Sequence, residues 1–488
     1  MHGRESEVPT LILLALALLI IFLLTSTAYQ RKKSPKKKFK VAPFSFSQEE
    51  LYTATQHLSA AVKLPTIAVH QWDKTSAAPF RELHNLLRNQ YPLLHANLKP
   101  LECGTLNLVF FWEGKQPLLE PVLLAAHQDV VPAQQKDWSV EPFEGEIDRY
   151  YIWGRGSFDD KGPLIAICEA IEKLLAEGFT PQRSHYIAFG CDEEIRGSHG
   201  ATQIAASLAS LGLRFAYVLD EGGIVASDFL GGLRNPAAVV GIAEKQDLDV
   251  KLQCTKEGGH SSNPNNPTSA GILAKAVWRV ESSRPKARLC PTVKLMLSSL
   301  GQYASFPLAI VLLHPALFSP FLFHLFGKKP QLNALIRSTC SVTMLQGSDV
   351  SNVISQTTNA VANVRLLSGT SESQILKWMH KRINERRVEL SVIRRSAISS
   401  PSSVDTRWFD LLKQVIGGTF EEAFALPFLM TGGTDALNYE RLSQCVYRFT
   451  PFQMNSGELK RMHGPDERLS KKNLGLAMQF YKTLIESS

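Results

Sequence analysis

Three short apolar runs in the chain each end in acidic residues. Residues 121–126, 185–190 and 215–219 are predominantly apolar over strand-like lengths, a pattern typical of parallel strands that are covered on both faces. The polar segments that follow them are His127-Gln128-Asp129, Cys191-Asp192-Glu193-Glu194 and Asp220-Glu221-Gly222-Gly223. Because open α/β sheets place their sites at the carboxyl ends of the strands, the sequence predicts a site where these segments meet.

Helical patterns alternate with these strands. Ser47-x-x-Glu50 has the spacing of a capping box, and it precedes an amphipathic segment that Pro65 ends. Residues 161–178 carry apolar positions at helical spacing, with Gly178 as a suitable terminator. This alternation predicts right-handed βαβ units, and therefore an α/β fold with a mostly parallel central sheet.

The pattern changes near Lys245. From there to residue 393 the chain alternates strand-like and helix-like segments around a loop rich in Gly, Ser, Asn and Pro, which predicts a separate α+β domain. At 488 residues the chain is long enough for two domains. We therefore predict a first domain built from residues 45–245 and 394–488, interrupted by an inserted lid or dimerisation domain of residues 246–393.

The amino-terminal segment predicts a membrane contact. Residues 11–24 are continuously apolar, and residues 1–30 are typical either of a cleaved signal peptide or of an uncleaved anchor. Both interpretations predict secretion or anchoring in the secretory pathway, with residues 10–28 as the membrane contact. We interpret residues 31–44 as a basic linker, whose charge favours the cytoplasmic side and opposes export of the body.

A second apolar stretch, residues 305–326, is interrupted by Pro315 and Pro320 and contains His314 and His324. The interruptions make a membrane-spanning helix unfavourable. Three interpretations stay open: a wall for a long acyl chain, packing within the core of the inserted domain, and a docking surface for a bilayer.

Charge and cysteine content exclude some classes of function. Of the net charge of +8, residues 1–40 carry +6 and the rest of the chain carries +2. The nearly neutral body argues against a nucleic-acid-binding surface. The seven cysteines are widely spaced and odd in number, so we expect free thiols, and any metal site must use His, Asp and Glu.

Five groups have the residue types of a hydrolytic zinc site: His127, Asp159, the Glu193-Glu194 pair, Asp220 and His463. Zinc accepts histidine nitrogen and carboxylate oxygen, and two zinc ions that share a carboxylate can hold a bridging hydroxide. In His127-Gln128-Asp129 the carboxylate can orient the imidazole. Of two adjacent glutamates, one can bind metal while the other accepts a proton from water.

Together these segments resemble a known family. HQD, GRGSFDDKG, DEE followed by G-x-x-GA, LDEGG, GGHSS and the late HG-x-x-E are similar to the motifs of the dinuclear-zinc aminoacylase, carnosinase and carboxypeptidase superfamily. Within it, WSVEPFEGEI, the apolar leader and the apolar insert most resemble the N-fatty-acyl-amino-acid synthase/hydrolase branch, with the carboxypeptidase S branch next.

The resemblance implies a zinc-exopeptidase-like catalytic domain with two zinc ions. It implies that His127, Asp159 and Asp220 hold one ion, and that Asp159, Glu194 and His463 hold the other, with Asp159 as the bridge. Glu193 would be the general base, and Asp129 would orient His127. Members of the family usually have a cis peptide after the bridging aspartate, here Asp159-Asp160.

The resemblance also implies functional residues in the inserted domain. His260 matches a residue that helps to polarise the scissile carbonyl, and Asn352 and Arg365 match groups that bind the carboxylate of the substrate. The chain departs from the family at Ser355, where proline is usual, and at Gly433-Thr434-Asp435-Ala436-Leu437, where a carboxylate-binding arginine is missing. These departures put the specificity for the amino-acid head group in question.

The leading hypothesis is a zinc amidohydrolase that cleaves N-acyl amino acids, in particular N-fatty-acyl amino acids, and can form them by reverse condensation. Its partners would be the N-acyl amino acid, the fatty acid and the amino acid, and an oligomer is compatible with the inserted domain. The alternatives are a carboxypeptidase or dipeptidase of the carboxypeptidase S type, and a non-catalytic binding protein on the same scaffold.

Overall fold

Alternating strands and helices make up most of the computed structural model, which describes residues 7–33, 39–231, 233 and 235–488. The strands are β1 (Lys99–Pro100), β2 (Leu108–Trp112), β3 (Val122–His127), β4 (Tyr151–Trp153), β5 (His185–Gly190), β6 (Tyr217–Ala226), β7 (Ala237–Glu244), β8 (Gln246–Thr255), β9 (Gly259–His260), β10 (Thr339–Gln346), β11 (Val353–Ile354), β12 (Thr357–Leu366), β13 (Val388–Arg395), β14 (Phe424–Met430), β15 (Val446–Met454) and β16 (Arg468–Ser470). The helices are α1 (Glu7–Lys33), α2 (Gln48–Val62), α3 (Lys74–Gln90), α4 (Pro92–Asn97), α5 (Lys161–Ala176), α6 (Ala201–Ser210), α7 (Ser269–Glu281), α8 (Pro291–Tyr303), α9 (Phe306–Leu313), α10 (Ser319–Phe326), α11 (Pro330–Ile336), α12 (Glu372–Ile383), α13 (Arg407–Thr419), α14 (Ala436–Tyr439), α15 (Ser456–Leu459) and α16 (Lys471–Ser487).

The larger sheet has eight strands in the order β1-β2-β5-β3-β6-β15-β7-β14. Its central strands β5, β3, β6 and β15 run parallel, whereas β2 and β7 add antiparallel pairings. Strands β3 and β5 are buried at every position, as expected for strands covered on both faces. The predicted α/β fold with a mostly parallel centre is confirmed.

The predicted helix ends are also confirmed. Helix α2 begins with the capping box, in which Glu50 N–H donates to Ser47 Oγ at 3.1 Å and Ser47 N–H donates to Glu50 Oε2 at 2.6 Å. Helix α5 ends just before Gly178, whose φ of +70° is readily adopted only by glycine. Helix α5 and the carboxyl-terminal helix α16 pack together in the main core of the larger sheet.

The second sheet is antiparallel and has four strands in the order β10-β12-β8-β13. Strand β12 alternates half-buried and buried residues along its whole length, because only one face of this sheet packs against α7 and α12. The short strands β9 and β11 form a separate ladder that pairs His260 with Val353. This sheet and its two helices form the lid body.

The predicted segment 246–393 does not pack as one body. Its central part, helices α8 to α11, shares a hydrophobic core with β7 and β14 of the larger sheet. The rings of Tyr303 and Phe424 stack there with centroids 3.8 Å apart. The segment 291–336 is therefore attached to the edge of the larger sheet, and we call it the insert.

The two faces of the insert differ. One face of α9 and α10 supplies residues to the core shared with the larger sheet, whereas the core-packing interpretation places them in the core of the inserted domain. On the other face, Phe306 is 41% exposed and Phe321 is 53% exposed. Since these two side chains lie at the surface, the structure does not support the acyl-wall interpretation for them.

The predicted linker 31–44 is partly structured. Residues Arg31, Lys32 and Lys33 form the last turn of α1, whereas residues 34–38 lie outside the described part of the chain. Further along, Ala42 N–H donates to Gly418 O at 2.8 Å, and Phe39 packs against Gly417. Phe39 and Ala42 therefore attach the end of the predicted linker to α13.

A buried ion-pair network joins the strands of the larger sheet. The guanidinium of Arg448, which is completely buried in β15, contacts the carboxylate of Glu244 and lies 2.7 Å from Glu440 Oε1. Glu440 also accepts hydrogen bonds from Ser399 Oγ and Ser400 N–H. The network fixes the end of β7 against the segment after β14.

We expect Arg448→Ala to destabilise the protein by about 3–5 kcal/mol, because it leaves buried carboxylates without their cation. The measurement is the urea midpoint of the first unfolding transition. Arg441→Ala is the matched control, since Arg441 is exposed. Equal midpoints for the two variants would contradict the importance of the network.

Candidate active site

The carboxyl ends of three neighbouring parallel strands form one edge of the site. His127 is the last residue of β3 and pairs in register with Gly190, the last residue of β5. Asp220 and Glu221 lie within β6 on the other side of β3. The loop before α5 brings Asp159 and Asp160, joined by a cis peptide, to the same place. The predicted meeting of the acidic segments is therefore observed.

Asp159 lies between two histidines from distant parts of the chain. Its Oδ1 is 3.0 Å from Nε2 of His127, and its Oδ2 is 3.0 Å from Nε2 of His463. Nε2 of His463 is also 3.1 Å from Oε2 of Glu194. Each oxygen of Asp159 thus faces a different histidine, as a carboxylate that bridges two cations would.

Asp129 holds both His127 and the glutamate pair. Its backbone oxygen is 3.0 Å from Nδ1 of His127, and its Oδ1 is 3.4 Å from the same nitrogen. Its two carboxylate oxygens accept the N–H groups of Glu193 and Glu194 at 3.1 and 3.0 Å. Asp129 therefore contacts the imidazole, most closely through its backbone oxygen, and fixes the loop that carries the glutamates. The predicted role of its carboxylate in orienting His127 stays a prediction.

Glu221, rather than Asp220, approaches His127. Oε1 of Glu221 is 3.8 Å from Nε2 of His127, and His127, Asp160 and Glu221 together could hold a metal ion, as could His127, Asp159 and Glu194. Asp220 belongs to neither group among the described residues. Neighbouring residues in a strand point to opposite faces, so the geometry adds Glu221 as a candidate ligand, while the ligand role of Asp220 stays a prediction.

The acidic side chains of the site are crowded. Burial, together with neighbouring carboxylates, raises the pKa of Asp160, Glu193 and Glu221 well above its usual range. Burial alone would also raise the pKa of Asp159, but hydrogen bonds from His127 and His463 lower it below its usual range. Such a cluster requires positive charge to be stable in its ionised form.

The donor set fits divalent metal ions. Among the described acids of the site, Oδ1 of Asp160, Oε1 of Glu194 and Oδ2 of Asp220 are buried without a hydrogen-bond partner. Hydrogen bonds with Asp159 and Glu194 raise the pKa of His463 to about 10, so that a proton occupies the nitrogen that a metal would use. Nitrogen and carboxylate ligands at this spacing suit zinc.

Glu467 is a site residue to which sequence reasoning gave no role. Its Oε1 accepts the N–H groups of Gly156, Phe158 and Asp159 at 2.9, 3.0 and 3.2 Å, and Arg155 Nη1 donates to its Oε2 at 2.5 Å. Burial raises its pKa to about 7. The glutamate of HG-x-x-E was a visible signal, and it holds the loop that carries Asp159.

The predicted residues of the lid body divide into two groups. His260 and Asn352 are exposed on the small ladder, where Ser261 N–H donates to the backbone oxygen of Asn352 at 3.0 Å. Arg365, on β12, is partly buried, with Nε 3.2 Å from Asp247 Oδ1. No described ion pair or hydrogen bond joins His260 or Asn352 to the acidic cluster.

Arg365 lies at the junction with the larger sheet. Its Nη1 is buried without a hydrogen-bond partner among the described residues, and a Cβ at Gly433 would lie 3.8 Å from it. Asp247 also accepts hydrogen bonds from Arg394 at 2.6 Å and from Arg196, which follows the glutamate pair. Residues 433–437, which differ from the family motif, therefore lie beside Arg365, whose Nη1 has an unused hydrogen-bond donor.

Comparison with known proteins places this geometry in a family. The model of peptidase family M20/M25/M40 matches residues 123–487. The chain is 36% identical to "Probable carboxypeptidase S-like 2" of Dictyostelium discoideum over 96% of this chain and 92% of the relative. It is 32% identical to "N-fatty-acyl-amino acid synthase/hydrolase PM20D1" of Homo sapiens over 97% of this chain and 96% of the relative.

Solved structures share the fold at lower identity. The M20 family metallo-carboxypeptidase Sso-CP2 from Sulfolobus solfataricus superposes with a TM-score of 0.64 at 18% identity, over 90% of this chain and 99% of its own. Human carnosine dipeptidase 1 superposes with a TM-score of 0.61 at 12% identity, over 89% of this chain and 98% of its own. The chain belongs to peptidase family M20/M25/M40 and is a hydrolase of amide bonds.

Proposed function

We propose that this protein is a dinuclear-zinc hydrolase of N-acyl amino acids, with N-fatty-acyl amino acids as its substrate class and reverse condensation as its second direction. The proposal rests mainly on the position of Asp159, whose two carboxylate oxygens each lie 3.0 Å from a different histidine. Relatives named as N-fatty-acyl-amino acid synthase/hydrolases, similar over nearly the whole chain, support the substrate class.

Two sets of residues would hold the zinc ions. His127 and Asp159, with Glu221 at 3.8 Å from His127 as the third ligand, would hold one ion, and Asp159, Glu194 and His463 would hold the other. When bound, the ions supply Lewis acidity toward the scissile carbonyl and lower the pKa of water. The hydrogen bonds to Asp129 and Glu467 keep these ligands in position.

Glu193 is the general base of the proposal. Its backbone is fixed by Asp129, and its buried carboxylate has a pKa raised well above the usual range, which suits a group that both accepts and returns a proton. The carboxylate takes a proton from the attacking water and delivers it to the amide nitrogen that leaves.

The lid body completes the site. We assign the carboxylate of the substrate to Arg365, whose Nη1 has an unused donor beside Gly433, with Asn352 as a second contact. His260 reaches the scissile carbonyl when the lid body closes, which also excludes water from the reaction.

A carboxypeptidase of the carboxypeptidase S type is the second candidate. The observation that favours it is the 36% identity to a relative with that name. Both candidates require the same centre and differ in the acyl group, so N-oleoyl-phenylalanine, N-acetyl-phenylalanine and a dipeptide separate them. Preferential cleavage of the dipeptide would favour the carboxypeptidase.

Substitution of Glu193 tests its role as the general base. We expect Glu193→Gln to lower kcat for N-oleoyl-phenylalanine by about 10²–10⁴-fold, because the amide cannot accept the proton of water. Metal content, measured by mass spectrometry of the purified protein, should stay at the wild-type level. Loss of metal from this variant would show that Glu193 is a ligand and not the base.

A further prediction separates Glu221 from Asp220. We expect Glu221→Gln to lose one of the two bound ions, since a neutral amide is a weak ligand. Asp220→Asn is the matched control and should keep both ions. If instead Asp220→Asn loses an ion and Glu221→Gln does not, Asp220 is the ligand.

Another prediction concerns Arg365. We expect Arg365→Gln to lower kcat/KM for N-oleoyl-phenylalanine by about 10–100-fold, the effect of losing a charged hydrogen bond worth about 1.5–3 kcal/mol. N-oleoyl-phenylalanine amide, which has no carboxylate, should be cleaved equally by the variant and the wild type.

Arg394→Gln is the control for Arg365, because its guanidinium is already hydrogen-bonded to Asp247 and Asp249 at 2.6 Å each. We expect Arg394→Gln to lower kcat/KM for N-oleoyl-phenylalanine less than Arg365→Gln does. If Arg365→Gln lowered kcat/KM equally for the acid and the amide substrate, the arginine would act only through the structure of the protein.

A further inference from the structure

The amino-terminal helix lies against the insert. Residues Leu14–Lys33 of α1 have a mean hydropathy of 1.6 and are long enough to cross a bilayer. The side chain of Thr27 is completely buried, with Oγ1 3.2 Å from Nε2 of His314, and the ring of Phe22 lies 6.1 Å from the same histidine. The end of α9 is thus fixed beside the last turns of α1.

The outer face of the insert is apolar. Phe306, Leu317, Phe321 and Leu325 are 41%, 51%, 53% and 37% exposed. They lie on or between the short helices α9 and α10, whose opposite face is anchored in the core of the larger sheet. Several exposed apolar side chains within one short segment indicate an interaction surface.

The hydrogen-bonded contact at Thr27 lies at the depth along α1 that a helix in the membrane interface would have. Thr27 precedes the basic turn Arg31–Lys33 by four to six residues, or about 6–9 Å at a rise of about 1.5 Å per residue. In-plane helices bury their apolar face about 5–10 Å into the boundary between headgroups and acyl chains. Since α9 and α10 have eight residues each, they are too short to cross.

Basic residues border this surface. Lys32 and Lys33 end α1, and Lys328 and Lys329 follow α10, all four exposed. Arg284 Nη1 donates to Gly327 O at 3.4 Å, which places a further cation at the end of α10. Lysines and arginines in this position attract anionic headgroups.

We propose that the outer face of α9 and α10 docks in the plane of an anionic bilayer, beside an α1 that crosses it. The insert, fixed to the larger sheet, then holds the catalytic domain at the membrane. The occupant is lipid, because the surface adjoins a helix that is long and apolar enough to cross a bilayer and has a basic border. This proposal does not depend on the substrate proposed above.

The test places a photoreactive benzophenone amino acid at Phe321 of the full chain in vesicles of phosphatidylcholine and phosphatidylglycerol. We expect a lipid adduct there, as at Leu18 of α1, the positive control. Tyr52, which is 66% exposed on the catalytic domain, is the matched negative control and should give none. Lys328→Glu combined with Lys329→Glu should reduce the Phe321 adduct in anionic vesicles but not in pure phosphatidylcholine.

A second measurement guards against disturbance by the bulky probe. In the same vesicles, we expect the fluorescence of Phe321→Trp to be quenched by brominated lipids beyond the wild-type level. An adduct at Leu18 with none at Phe321 and no additional quenching overturns the proposal, as does the absence of adducts at both positions. A crosslink through Phe321 to a second copy of the chain also overturns it, since a subunit would then cover this face.

Discussion

The burial of several carboxylates close together is the constraint on which the site depends. Asp159, Asp160, Glu193, Glu194 and Glu221 converge near two histidines. Burial, followed by repulsion from neighbouring carboxylates, raises the pKa of Asp160, Glu193 and Glu221. In a low-dielectric pocket the cost of ionising them together is large unless a cation is shared among the ligands. The donor set therefore favours bound metal over the metal-free state.

Two further carboxylates support the centre without facing it. Asp129 accepts the N–H groups of the glutamate loop, and Glu467 accepts three N–H groups of the loop that carries Asp159. Charge-assisted hydrogen bonds of this kind are strong and directional. Because Glu467 lies near the carboxyl end of the chain, the site is complete only after the last segment of the catalytic domain has packed.

The sequence predicts the fold and the location of the site better than the choice between neighbouring residues. Apolar runs that end in acids identified β3, β5 and β6, since burial on both faces leaves a clear pattern. In LDEGG, however, which acid faces His127 depends on the register of β6 against β3, and composition does not encode that register. The role of Glu467 likewise depends on contacts made about three hundred residues away.

The position of the insert could not be predicted from the sequence, for a related reason. Helical periodicity shows that α8 to α11 have an apolar face, but not which sheet covers it. In the structure, Lys245 Nζ donates to the backbone oxygens of Ala334 and Arg337 at 3.2 and 3.1 Å, and Ser396 N–H donates to Asp247 O at 2.8 Å. The connections between the lid body, the larger sheet and the insert therefore lie together.

This convergence has a mechanical consequence. A lid that closes over the site must bend where its chain crosses to the larger sheet, near Lys245, Arg337 and Ser396. Hinges of this kind are short segments that absorb changes in backbone angles while the packed bodies stay rigid. Because the insert shares its hydrophobic core with the larger sheet, docking of the insert would hold the catalytic domain still and leave the lid free to move.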